Sequence, residues 1–106
     1  MTATMKRTWT MPEIRRANAD AGLYFFSPGA MRFFRSRVHD RVYQGPGGVF
    51  FVTSEQGPDD VRRYTVREFD PETARMTALG GDVDGFQRYA TRSGAHAAAY
   101  RAAAGK

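Results

Sequence analysis

The order of patterns in this 106-residue sequence predicts an α+β domain: two N-terminal helices, an antiparallel meander of four to five strands, and an alanine-rich C-terminal helix packed on the sheet. Three observations carry that prediction. Helix-start signals stand at Thr10 and Ser27, each followed by apolar residues at helical spacing. From about Arg41 to Leu79 the period changes to alternation, interrupted by Gly and Pro turns. After Thr91 the chain turns to alanine, with Ala95, Ala98, Ala99 and Ala102 on one helical stripe.

Residues 1–9 read as a flexible start and residues 10–106 as a single domain. Thr10-Met11-Pro12-Glu13 has the form of a capping box, with Glu13 placed to reach back to the N-cap. A helix of about Met11 to Ala21 follows, ended by Gly22. The second helix is expected over the stretch FFSPGAMRFFRSRVHDR, Phe25 to Arg41. Ser27 is its N-cap, Pro28 sits where a missing N–H costs nothing, and Ala30, Phe34 and Val38 form its apolar stripe. Arg41–Gln44 and Gly48–Thr53 are expected strands on either side of a Gly45-Pro46-Gly47-Gly48 turn. Ser54 to Asp60 reads as a loop.

Arg62 to Phe69 alternates as a strand, with Tyr64 and Val66 on one face and Arg63, Thr65 and Arg67 on the other. A proline turn at Asp70–Thr73 leads to a strand at Ala74–Leu79. Met76 and Ala78 are expected beside Tyr64 and Val66 in the core, with Arg75 and Thr77 joining Arg63, Thr65 and Arg67 outside. Phe86–Ala90 is a possible fifth strand, and the last helix spans about Arg92 to Ala104, closed by Gly105. Phe50 and Phe51 are adjacent in a strand, so both can be buried only if the sheet is covered on both sides.

Charge is distributed unevenly. Residues 1–41 hold eight Lys and Arg against Glu13, Asp20 and Asp40, and residues 42–106 hold eight basic and eight acidic groups, so the whole excess of +5 lies in the first part. Such asymmetry bears on partners rather than on fold. No apolar run approaches the roughly 20 residues of a membrane span, and no hydrophobic signal segment opens the chain. With no cysteine, neither disulfides nor thiolate ligands are available, and a cytoplasmic setting is expected.

Signs of catalysis are few. His39 and His96 stand apart in sequence, without an i, i+4 partner. Asp82 and Asp84 flank a glycine loop but lack calcium-loop spacing. GPGG precedes a strand rather than a helix, so it is no phosphate loop. The expectation is therefore a non-enzymatic protein with no metal, no cofactor and no small-molecule substrate. The remaining chemistry is binding. Arg32, Arg35, Arg37 and Arg41 on the second helix, with Arg15 and Arg16 on the first, can fork onto phosphate oxygens and release counterions. Arg63 and Arg67 are a second candidate set, on the outer sheet face. The expected partner is nucleic acid, DNA before RNA. The alternatives are a host protein bound as by an inhibitor or adaptor, and a solvated basic surface with no partner.

The segments FFSPGAMRFFRSRV, YQGPGGVFFVTSEQ and RRYTVREFDPET resemble a family of small proteins encoded by phages, plasmids and other mobile elements. The likeness runs from about Phe25 to Arg92, through FQRYATR, and implies a mobile-element accessory role without a mechanism. More loosely, YTVREFD, ARMTAL and GFQRYATRSGAHAAA are similar in order to the three-stranded-sheet-plus-helix DNA-binding modules of phage integrases. That likeness implies DNA reading by the sheet face of Arg63, Thr65, Arg67 and Arg75, although this part of the chain has no net charge and the N-terminal part differs.

Overall fold

The computed structural model describes residues 8–105 and has the expected α+β architecture. Residues 1–7, most of the expected flexible start, lie outside the described residues. Trp9 does not continue such a start: its ring packs edge-on against Phe69 at 4.9 Å. Helix α1 is Met11–Asp20, and the Thr10 N–H donates to Glu13 Oε1 at 3.0 Å, as a capping box requires. Gly22, with φ of +78°, takes the left-handed turn that ends it.

Helix α2 is much shorter than expected, Pro28–Phe33. Ser27 caps it, accepting from the Ala30 N–H at 3.3 Å. Arg35 then takes a φ of +49°, and the chain leaves the helix for β1, Arg37–Val38. Val38 therefore belongs to a strand, and the apolar stripe Ala30–Phe34–Val38 does not exist. A β-branched residue that can pair with a long neighbouring strand outweighs one more turn of helix.

Strands β2 (Tyr43–Gly45), β3 (Gly48–Gln56), β4 (Arg62–Phe69) and β5 (Met76–Ala78) form an antiparallel meander. β1 also pairs with β3, at Arg37↔Ser54 and Val38↔Thr53, so β1 and β2 share one edge of the longest strand. β3 extends through the expected Ser54–Asp60 loop as far as Gln56. Phe86–Ala90 forms no strand and contributes one bridge, Tyr64↔Tyr89. Helix α3 is Arg92–Ala103, capped by Thr91 Oγ1, which accepts from Gly94 N–H. The hairpin tip docks on its far end, where Gly47 N–H donates to Ala103 O at 2.9 Å. A Cβ on Gly47 would lie 1.9 Å from Ala102 O, so this approach requires glycine.

The sheet is covered on both sides. On the α3 face, Phe50, Val52 and Val66 meet Ala95, Ala98, Ala99 and Ala103. On the α1 face, Val49, Phe51 and Phe69 meet Met11, Ile14 and Ala74, with Phe25 and Phe26 alongside. Phe50 and Phe51 are accordingly both buried. The register Arg67↔Ala78 and Phe69↔Met76 corrects one expectation: Met76 and Ala78 share the face of Arg67, opposite Tyr64 and Val66.

Candidate nucleic-acid interface

The two sheet faces treat their arginines differently. On the α1 face Arg67 lies over the carboxylate of Glu55, with its Nη2 3.1 Å from Oε2, and the two side chains are 13% and 1% exposed. Thr53 Oγ1 donates to Glu55 Oε2 at 2.5 Å and Thr65 Oγ1 to Oε1 at 2.7 Å. Arg67 Nε donates to Thr53 Oγ1 at 3.0 Å, and Gln87 closes the group from above, its N–H on Thr65 Oγ1 and its amide on Glu55 O. The rings of Phe25 and Phe86 sit 5.1 and 5.6 Å from the Arg67 guanidinium. The open basic face expected at Thr65 and Arg67 is thus a closed internal network. A covered second face leaves the arginine no solvent, and a buried cation is held only by a carboxylate.

On the α3 face the arginines remain available. Pairing places Arg37 beside Ser54, and Arg62 beside Gln56, on this face. α2 and the turn after it add Arg32 and Arg35, and the four line one open groove of about 530 Å³ with Met31 and Gln56. Arg62 is anchored from both ends of its fork, Nη1 on Ser54 Oγ at 2.8 Å and Nη2 on Arg35 O at 2.9 Å. Burial, then the nearby Arg37, lower its pKa from the ordinary value. Among the described residues, the Asp60 carboxylate is in ion-pair range, 3.9 Å from Arg35 and 80% exposed. Beside the groove the Phe33 ring stands in solvent, 79% exposed.

The track continues along the same face. His39 follows Arg37 by two residues, and its N–H on Val52 O keeps it in the sheet register. His39 and His96 do not stand apart: His39 Nδ1 lies 2.9 Å from His96 Nε2, and His96 Nδ1 lies 2.8 Å from the Tyr43 hydroxyl. With Arg41 and Arg92 they line a second open cleft, of about 630 Å³. Burial, then the charge of His96, lower the pKa of His39, and burial, then Arg92, lower that of His96.

The model of a family of unknown function, DUF7447, matches residues 10–100. The chain belongs to that family. Neither a curated protein nor a solved structure matches it significantly. In this DUF7447 chain the matched span contains the whole groove and the whole cleft, from Pro28 to His96.

Of the residues singled out in the sequence, Arg32, Arg35 and Arg37 come together, and Arg41 lies farther along in the second cleft. Arg15 and Arg16 are exposed on α1, whose buried side packs on the opposite face, and Arg15 lies over the Phe26 ring at 4.9 Å. Arg63 is held by Asp59 at 3.0 Å, and Arg67 is inside. Sequence reasoning missed Arg62, although alternation with Tyr64 and Val66 assigns it a face. It also missed the imidazole pair, which is 57 residues apart and carries no local signal. Among the described residues no helix is long and apolar enough to cross a membrane.

Proposed function

We propose that this protein binds single-stranded nucleic acid through the groove of Arg32, Arg35, Arg37 and Arg62, as an accessory protein of a phage or other mobile element. The convergence of four arginines on one open groove, with the exposed Asp60 carboxylate at its rim, carries the reading. Guanidinium groups in that arrangement repel one another, and a run of phosphates relieves the repulsion while releasing counterions. The exposed Phe33 ring beside the groove suits a base freed from a duplex. Thr65 and Arg67 are closed within the Glu55 network, so the groove alone does not choose between DNA and RNA. The mobile-element setting rests on the likeness of FFSPGAMRFFRSRV, YQGPGGVFFVTSEQ and RRYTVREFDPET.

A fluorescence-anisotropy titration against single-stranded RNA, single-stranded DNA and duplex DNA, at low and near-physiological salt, tests this. Affinity should fall steeply with salt. Replacing Arg32 and Arg37 by Ala, two side chains exposed at the groove, should flatten the log–log slope by about 1.4 on single strands. Phe33→Ala should cost about 1–3 kcal/mol on single strands and little on duplex. Absence of binding at low salt rejects the reading and favours the rival, a host-protein contact through exposed aromatics such as Tyr24 and Tyr100.

A further inference from the structure

Tyr43, His96 and His39 form an unbroken hydrogen-bonded chain, and all three residues line the same cleft. Such a chain has two proton registers. In one, His39 Nδ1–H donates to His96 Nε2 and His96 Nδ1–H donates to the tyrosine oxygen. His39 Nε2 is then a free base and the Tyr43 O–H a free acid. In the other, every proton has moved one place along, and the roles of the ends are exchanged. A proton accepted at one end is therefore matched by a proton delivered at the other, with no net charge left behind. The surrounding charges suit an anionic substrate: Arg92 acts on both imidazoles, Arg41 on His96, and the Arg41 guanidinium lies 5.2 Å from the Tyr43 ring centroid. The cleft also continues the arginine groove, because Arg37 and His39 lie two residues apart on one face.

Building on the binding function proposed above, we propose that the cleft is an acid–base site that cleaves single-stranded RNA by attack of the substrate's own 2′-hydroxyl. The 2′-oxygen forms a bond to phosphorus as its proton passes to His39 Nε2. The His39 Nδ1 proton passes to His96 Nε2, and the His96 Nδ1 proton to the Tyr43 oxygen. The original Tyr43 proton goes to the departing 5′-oxygen as its bond to phosphorus breaks. The products are a 2′,3′-cyclic phosphate and a 5′-hydroxyl, and the chain is left in its second register. Arg41 and Arg92 hold the non-bridging oxygens as charge builds on them. His39 and Tyr43 are the catalytic residues, and His96 is a positioning residue between them. Both imidazoles must be neutral for the relay to run. Burial, His96, Arg92 and Arg62 lower the pKa of His39, against an opposing effect from Glu55. Asp40 at the cleft wall and Tyr64, 5.8 Å from the His39 ring, complete its surroundings.

The test is incubation of the intact chain with an end-labelled single-stranded RNA oligonucleotide in EDTA, with binding of the same RNA measured in parallel by anisotropy. Fragments ending in a cyclic phosphate are expected, and none from the all-2′-deoxy oligonucleotide. Tyr43→Phe and His39→Gln should each slow cleavage at least about a hundredfold when RNA saturates the variant, as the parallel anisotropy measurement verifies. Tyr43→Phe keeps the ring and removes the hydroxyl, which is both the acid and the partner of His96 Nδ1. His96→Gln should slow the reaction and move the acid limb of its pH profile upward, which a merely structural role would not do. Binding without cleavage overturns this inference and leaves the binding function standing, whereas neither binding nor cleavage overturns both. Cleavage that survives Tyr43→Phe and His39→Gln, or that consumes the deoxy strand, also overturns it.

Discussion

The two faces of one sheet carry arginines a few residues apart, and the protein uses them in opposite ways. Arg67, on the α1 face, meets a buried carboxylate, a threonine hydroxyl and two phenylalanine rings. Arg62, on the α3 face, meets a serine hydroxyl and a backbone carbonyl and shares its groove with three further arginines. The first set cancels its charge and closes. The second concentrates charge and stays open. Residue type alone does not separate them. What separates them is whether a carboxylate shares the burial, because a desolvated cation needs one, while clustered cations at a surface remain poised for an anion from outside.

The strongest way to break the comparison is to unbalance the closed face. Glu55→Gln should leave Arg67 buried without its counter-charge and cost roughly 3–5 kcal/mol in urea unfolding, with nucleic-acid affinity unchanged. Pairing Glu55→Leu with Arg67→Met should recover most of that loss. A Glu55→Gln variant as stable as the parent would show that the network is not closed.

A smaller effect is expected on the open face, where burial disfavours the charged form of two imidazoles. Their folded pKa values lie below the ordinary 6.5, so on acidification the unfolded chain takes up protons first. Stability should hold its full value above pH 6.5 and decline as the pH falls toward and through the folded-state values. Unfolding midpoints from pH 8 to 5 check this (approximate bounds set by the histidine range), and His39→Gln should flatten the profile. The smallest change belongs to Arg63, whose bond to Asp59 joins two solvent-exposed groups. Arg63→Ala should shift neither the unfolding midpoint nor nucleic-acid binding measurably, since an exposed ion pair is screened.

Much of the architecture was legible locally. Thr10, Ser27 and Thr91 stand where helices begin, Gly22 and Gly105 take the positive φ that ends or follows α1 and α3, and β4 runs from Arg62 to Phe69 as its alternation indicates. These features depend on neighbours one to four residues away, which the sequence displays directly. The site was legible only in part. Arg32, Arg35 and Arg37 were marked by their density, but the helix meant to display them ends at Phe33.

What the sequence determined by itself, then, was the kind and order of elements, because caps, turns and periodicities are short-range physics. Which arginines are neutralised inside and which line an open groove was decided by the tertiary structure. Covering both sheet faces turned Thr65 and Arg67 inward toward Glu55. Packing α3 beside the β1–β2 edge brought His96 onto His39 and Tyr43. Contacts between residues more than fifty positions apart arise only when the chain has collapsed around a shared core, and no local pattern encodes them.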